Sequence, residues 1–167
     1  MRVLGIDPGS VVSGYGLVDE EGHRIFYAGS GSISTTARLS FPDRLKKIYD
    51  GLGRVMEDKK PDVVVLESLF FAKNAQSALK LGHARGVAVL AAVNMGVPIF
   101  EYTPLEIKQA VVGYGAAEKA QVQQMVKTLL KLDSIPKPHD ASDALAAAIC
   151  HIHSARMKEA VKKNGVK

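Results

Sequence analysis

The sequence predicts an α/β fold: a five-stranded mixed sheet, three strands antiparallel and two parallel, flanked by helices. Two observations carry this. Three strand-like runs follow one another within the first 32 residues, and from residue 42 onward helical and strand periods alternate. A third observation places chemistry on that frame, because two of the strands, "VLGID" and "VVVLE", end in a carboxylate. A charge closing a buried apolar strand is costly to desolvate unless something pairs with it.

Residues 2–7 make the first strand, 13–19 the second and about 24–32 the third, with "EEGH" as the turn before it. Gly14 and Gly16 share one face of the second strand. There they either admit another backbone or a ligand at close range, or simply weaken the strand. Leu45, Ile48, Tyr49, Leu52, Val55 and Met56 recur at helical spacing, so a helix spans Pro42 to Lys59, with proline suited to its first turn. Val63 to Leu66 is a continuous apolar run, as in a central strand covered on both faces, and it ends in Glu67.

An Ala-rich helix follows from Ala75 to Asn94, apolar on much of its surface. Gly96-Val97-Pro98 breaks it, and "PIFEY" supplies the fifth strand. Thr103 and Pro104 cap and start a short helix to Val112. "GYGAAEK" reads as a loop, and Val122, Met125, Val126, Leu129 and Leu130 mark a further helix. "SIPKPHD" leads into a last helix from Asp140 to Met157. The fourth strand reaches the sheet by a helical crossover and can pair parallel to the first. Asp7 and Glu67 then arrive side by side at the carboxyl ends of neighbouring strands, where open α/β sheets place their sites.

Length fits one domain, taken as 1–157, followed by a flexible basic tail over 158–167. Composition is that of a soluble globular chain, at 47% hydrophobic and 23% charged residues. No apolar run approaches the ~20 residues of a membrane span, and the N-terminus carries no signal-type apolar region. The single cysteine, Cys150, excludes an internal disulfide and suits a reducing cytoplasm; its apolar helical setting marks it as a core residue. Net charge is +5, but residues 156–167 hold five Lys/Arg against one acid, so the body is close to neutral. Those tail cations read as a solvated, frayed end.

Asp140 and Asp143 lie three apart at the start of the last helix, hence on one face of its first turn. A cap or dipole role accounts readily for one of them. It accounts less well for both, since Ala141, Ala144, Leu145, Ala146, Ala147 and Ala148 make the helix a buried one. Four carboxylates can therefore converge: Asp7, Glu67, Asp140 and Asp143. Like charges so placed raise one another's pKa unless cations intervene. Mg²⁺ suits hard oxygen ligands, and two such ions roughly 4 Å apart support in-line phosphoryl displacement.

Four separated blocks, "GIDPGSVVSGYGLV", "LESLFFAKNAQSALKLGHARGVA", "IKQAVVGYGAAEKAQVQQMV" and "HDASDALAAAICH", closely resemble the RuvC family of bacterial Holliday-junction resolvases. The resemblance implies an RNase H-like fold and a homodimer. It also implies Mg²⁺-dependent nicking of two strands of a four-way DNA junction in recombination and repair, with two ions per site and Mn²⁺ as a substitute. It makes Asp7, Glu67, Asp140 and Asp143 the metal-binding catalytic acids. The family varies between Asp and His at the position of Asp143, and often has "EQ" where this chain has Glu67-Ser68. His139 is either a proton shuttle or a partly exposed polar neighbour of Asp140.

By the same resemblance Lys108 and Lys119 face the DNA backbone near the cut. With a nearly neutral body, affinity then rests on a few placed cations and bound metal. Phe70 matches a wedge or stacking aromatic at the junction centre, while by pattern alone Phe70 and Phe71 are equally core residues. A C₂ dimer suits a junction of two-fold symmetry. The helix from Ala75 to Asn94, with Gly82, Ala84, Gly86 and Ala88 allowing close contact, is the candidate surface, packing within the monomer being the competing use. Cooperation with the branch-migration proteins RuvA and RuvB is implied as well.

Actin-like ATPases and sugar kinases also begin with a strand running into an acidic Gly-rich turn. They need a second half-domain, and this chain has no duplicated turn and too little length for one. The remaining alternatives are another RNase H-like nuclease and a non-catalytic junction-binding protein. The expected products are 5′-phosphate and 3′-hydroxyl nicks.

Overall fold

In the computed structural model the described residues are 1–68 and 75–163, without the side chains of 158–163. Three strands, β1 (Arg2–Asp7), β2 (Val12–Glu21) and β3 (Arg24–Ser34), are followed by helix α1 (Phe41–Lys59). Strand β4 (Val63–Glu67), helix α2 (Ala75–Asn94) and strand β5 (Ile99–Tyr102) come next. Helices α3 (Pro104–Val112), α4 (Lys119–Leu129) and α5 (His139–Lys163) close the chain. The sheet order is β3-β2-β1-β4-β5, antiparallel from β3 to β1 and parallel from β1 to β5, as the element order predicted.

Period-2 alternation splits the core into two layers. Val3, Val18, Val63 and Val65 face α3, α4 and α5, whereas Leu4, Ile6, Leu17, Val64 and Leu66 face α1 and α2. Asp7 is in phase with Val3, and Glu67 with Val63 and Val65. Both acids therefore belong to the α5 face of the sheet.

Helix α5 packs on β1 and β2. A Cβ on Gly5 would lie 1.8 Å from the Ala144 carbonyl oxygen, and one on Gly14 2.2 Å from the Asp140 carbonyl carbon. These distances decide what the strand glycines are for: they admit a helix backbone, and so they seat Asp140 and Asp143 over the end of β1. Gly16, opposite Gly5 in the β1–β2 ladder, makes room chiefly for the Leu145 side chain.

Three expectations change. Ala84 and Ala88 are fully buried within the monomer rather than open for self-association, while Gly82 and Gly86 stand in open space. They share the outer face of α2 with the exposed Leu79, Leu90 and Val93. Arg156, read as a solvated tail cation, instead pairs with the mostly buried Glu20 at 2.5 Å. The last helix also continues past Met157 to Lys163, since lysine, glutamate and alanine sustain a helix after the core contacts end. Cys150 is buried as expected, and burial pushes its thiol up to about 11, leaving it inert.

Candidate active site

Each acid reaches the site through a different constraint. Asp7 is the last residue of β1, opposite Gly14. The parallel ladder pairs Ile6 with Leu66, which sets Glu67 beside Asp7. Asp140 and Asp143 lie in the opening turns of α5, three residues apart, held down by the glycine seat. Ser13, fully buried, fixes the loop after Asp7: its hydroxyl accepts from the Gly9 N–H at 3.1 Å and donates to the Gly9 carbonyl at 2.8 Å.

The acids act on one another. Burial, then the charges of Asp143, Asp140 and Glu67, raises the Asp7 carboxyl to about 7, opposed by Lys119. Glu67 is raised as well, by burial first and Asp143 next, against Lys119, Lys108 and Arg85. Lys119 pairs with Asp143 at 2.5 Å; desolvation is the largest single influence and lowers the lysine, but the Asp143 hydrogen bond and the charges of Asp143, Asp7 and Asp140 together raise it. Lys119, at the start of α4, and Lys108, on α3, line an open cavity of about 270 Å³ with Glu67, Asp143, Ile107 and Val122. Asp7 and Asp140 are outside that lining.

The structure thus brings together all four predicted acids and both predicted lysines. Phe70 lies outside the described residues. His139 is exposed at the first position of α5. Among the described residues no three His, Cys, Asp or Glu side chains stand close enough together to hold a metal ion as they are placed. The donor chemistry nonetheless fits hard divalent cations: four carboxylates gather in one place, where burial first and their mutual repulsion second raise Asp7 and Glu67.

One residue escaped the sequence reading. Arg85 of α2, with its side chain only 13% exposed, donates to the Glu67 backbone carbonyl at 2.5 Å and pairs with Glu101 at 2.6 Å. The available signal was an arginine inside an Ala/Val-rich helix, a placement that requires a partner.

The family model for crossover junction endodeoxyribonuclease RuvC matches residues 3–151. The chain belongs to the RuvC family. It is 55% identical over 162 residues to the RuvC of Geobacter sp. (strain M21), covering 97% of this chain and 98% of that one. It is 59% identical over 153 residues to the RuvC of Syntrophotalea carbinolica, covering 92% and 94%. The structure of Thermus thermophilus RuvC in complex with a Holliday junction substrate superposes with a TM-score of 0.90 at 34% identity, covering 95% of this chain and 96% of that chain. The sheet and helices are therefore those of a RuvC-type, RNase H-like fold.

Proposed function

We propose that this chain is a crossover junction endodeoxyribonuclease, which resolves four-way DNA junctions by nicking two strands symmetrically. The observation that carries the reading is the convergence of Asp7, Glu67, Asp140 and Asp143 beside a lysine-lined cavity, in a chain matched almost end to end by RuvC relatives.

Asp7, Glu67, Asp140 and Asp143 would hold two Mg²⁺ ions, or Mn²⁺ in their place, whose Lewis acidity polarises the phosphodiester and the attacking water. The chain's own residues supply the rest. Lys108 and Lys119 offer ammonium groups to the phosphate backbone on the cavity side. Lys119 is held against Asp143 in the free protein, so it is in place before DNA arrives. The glycine seat under α5 fixes the spacing of the acids within a rigid frame, which is how orientation lowers a barrier. In-line hydrolysis yields 5′-phosphate and 3′-hydroxyl ends that a ligase can seal.

The same reading includes a homodimer, formed through the open face of α2 around Gly82, Gly86, Leu79, Leu90 and Val93. It also includes Phe70 as a stacking residue, RuvA and RuvB as partners, and action in the cytoplasm. Among the described residues no helix is long and apolar enough to cross a membrane.

The deciding experiment is nicking of a synthetic four-way junction in Mg²⁺ by wild type and Asp7→Asn, with linear duplex as control. Paired, ligatable nicks on the junction alone are expected. Asp7→Asn should abolish them while junction binding persists. Equal cutting of duplex or RNA–DNA hybrid would reassign the substrate to that of another nuclease of this fold. Binding without cutting across varied core sequences, in Mg²⁺ and Mn²⁺, would leave a non-catalytic junction-binding protein.

A further inference from the structure

Glu67 is addressed from both faces of the sheet. Its side chain belongs to the α5 face with Asp7. Its backbone is gripped from the other face, by a helix that takes no other part in the acidic cluster. The β1–β4 ladder ends at Ile6 and Leu66, so Glu67, although still paired with Tyr102 on its β5 side, stands just past the last paired residues on its β1 side. A strand-end carbonyl beyond its ladder needs a donor from elsewhere. Arg85 supplies it at 2.5 Å.

The same guanidinium pairs with Glu101 on β5 at 2.6 Å. Glu101 is the partner of Leu66 in the β4–β5 register, and the Ser68 N–H continues that ladder by donating to the Tyr102 carbonyl at 2.8 Å. Arg85 therefore spans the ends of two adjacent strands, fixed to a backbone oxygen on one and a carboxylate on the other. Its burial shields the bond to the Glu67 carbonyl from water, while the pair with the half-exposed Glu101 lies at the solvent edge. A planar fork with donors in fixed directions can make both bonds at once, which an ammonium cannot match.

We infer that Arg85 is a positioning residue, a clamp that holds the end of β4 so that Glu67 stays in register with Asp7. The inference rests on the metal-dependent reading above for its functional consequence, but the clamp itself is a property of the strand ends.

Two measurements on the full chain test it separately from that reading. The first is amide hydrogen exchange without metal or DNA. Arg85→Gln should speed exchange at Ser68, whose bond to Tyr102 closes the strand end, while amides in the middle of β1 and α5 keep their protection. Asp7→Asn should leave Ser68 unchanged. The second is binding of Mn²⁺ alone, followed by calorimetry. Arg85→Gln should weaken it about 10- to 100-fold, the usual effect of losing a group that orients a ligand. Arg85→Lys should recover only part of that loss, and Glu101→Gln, which keeps the bond to Glu67, should lose less than Arg85→Gln. In a Glu67→Gln background, Arg85→Gln should cost little more.

Unchanged Ser68 exchange in a folded Arg85→Gln would overturn the clamp. So would an Mn²⁺ affinity equal to wild type in all three variants, even with a lower melting temperature, because Arg85 would then serve stability alone. If the wild type binds no Mn²⁺, the metal reading fails, and Ser68 exchange still decides whether Arg85 holds the strand end.

Discussion

Asp7 has an ordinary carboxyl value of 3.8 and sits here at about 7, through burial and three neighbouring acids. The sign of the consequence is fixed. The folded state holds this proton more tightly than the unfolded chain, so the stabilisation is full below the unfolded value and is lost as pH rises through 7. Glu67, shifted the same way, adds to the effect. In a chelator, the melting temperature should fall between pH 5 and pH 8. Asp7→Asn should flatten that profile and raise stability at pH 8, by an amount on the order of a few kcal/mol. Adding Mg²⁺ at pH 8 should restore the wild type, as any ligand of the folded state does. A wild-type profile without slope would show that the four acids are not coupled. At this scale the sequence was informative where spacing sets direction. Period 2 aims Asp7 and Glu67 to one face, and a three-residue step pairs Asp140 with Asp143. Arg85 was not legible, because its partners are a backbone carbonyl and a residue on another strand, and neither follows from local period.

Among elements, the pairing of α5 with the first two strands does the most for the site. Gly14→Ala would place a methyl 2.2 Å from the Asp140 carbonyl carbon and push the start of α5 off the sheet. The expected cost is about 1–3 kcal/mol of stability. Nicking should fall at least tenfold while junction binding changes little, a split that denaturant melts and single-turnover assays will resolve. Element order and sheet topology were readable because strand and helix periods alternate cleanly and crossover rules leave few arrangements. The use of the strand glycines was not readable, since a glycine shows that room is needed and not what enters it. Helix α2 shows a related limit. Its small residues divide between two faces: Ala84 and Ala88 turn inward while Gly82 and Gly86 turn outward, because a two-residue step on a helix does not keep to one face.

For the whole molecule, the proposed reading makes junction binding depend on a few placed cations and on the pairing of two copies. The near-neutral body predicts a shallow dependence of junction affinity on salt. Lys108→Ala and Lys119→Ala should each weaken binding across sequences and lower the log–log salt slope by about one. An unchanged slope would place both lysines away from phosphate. The outer face of α2 exposes Leu90 at 51% and Val93 at 59%. Leu90→Glu with Val93→Glu should shift sedimentation to the monomer and turn paired nicks into independent single ones. Persistence of the dimer in that variant would move the interface elsewhere.

The glycine seat also bears on how tolerance to mutation is interpreted. Gly5 and Gly14 carry no functional group, yet the volume of a single methyl at either is enough to displace the helix that bears two of the acids. A saturation screen scored on DNA cleavage would rank them with Asp7 itself. Intolerance there would report clearance between two backbones rather than chemistry. The signature that separates the two classes is shape: at the acids a substitution of matched size fails, whereas at Gly5 and Gly14 every side chain fails from alanine upward.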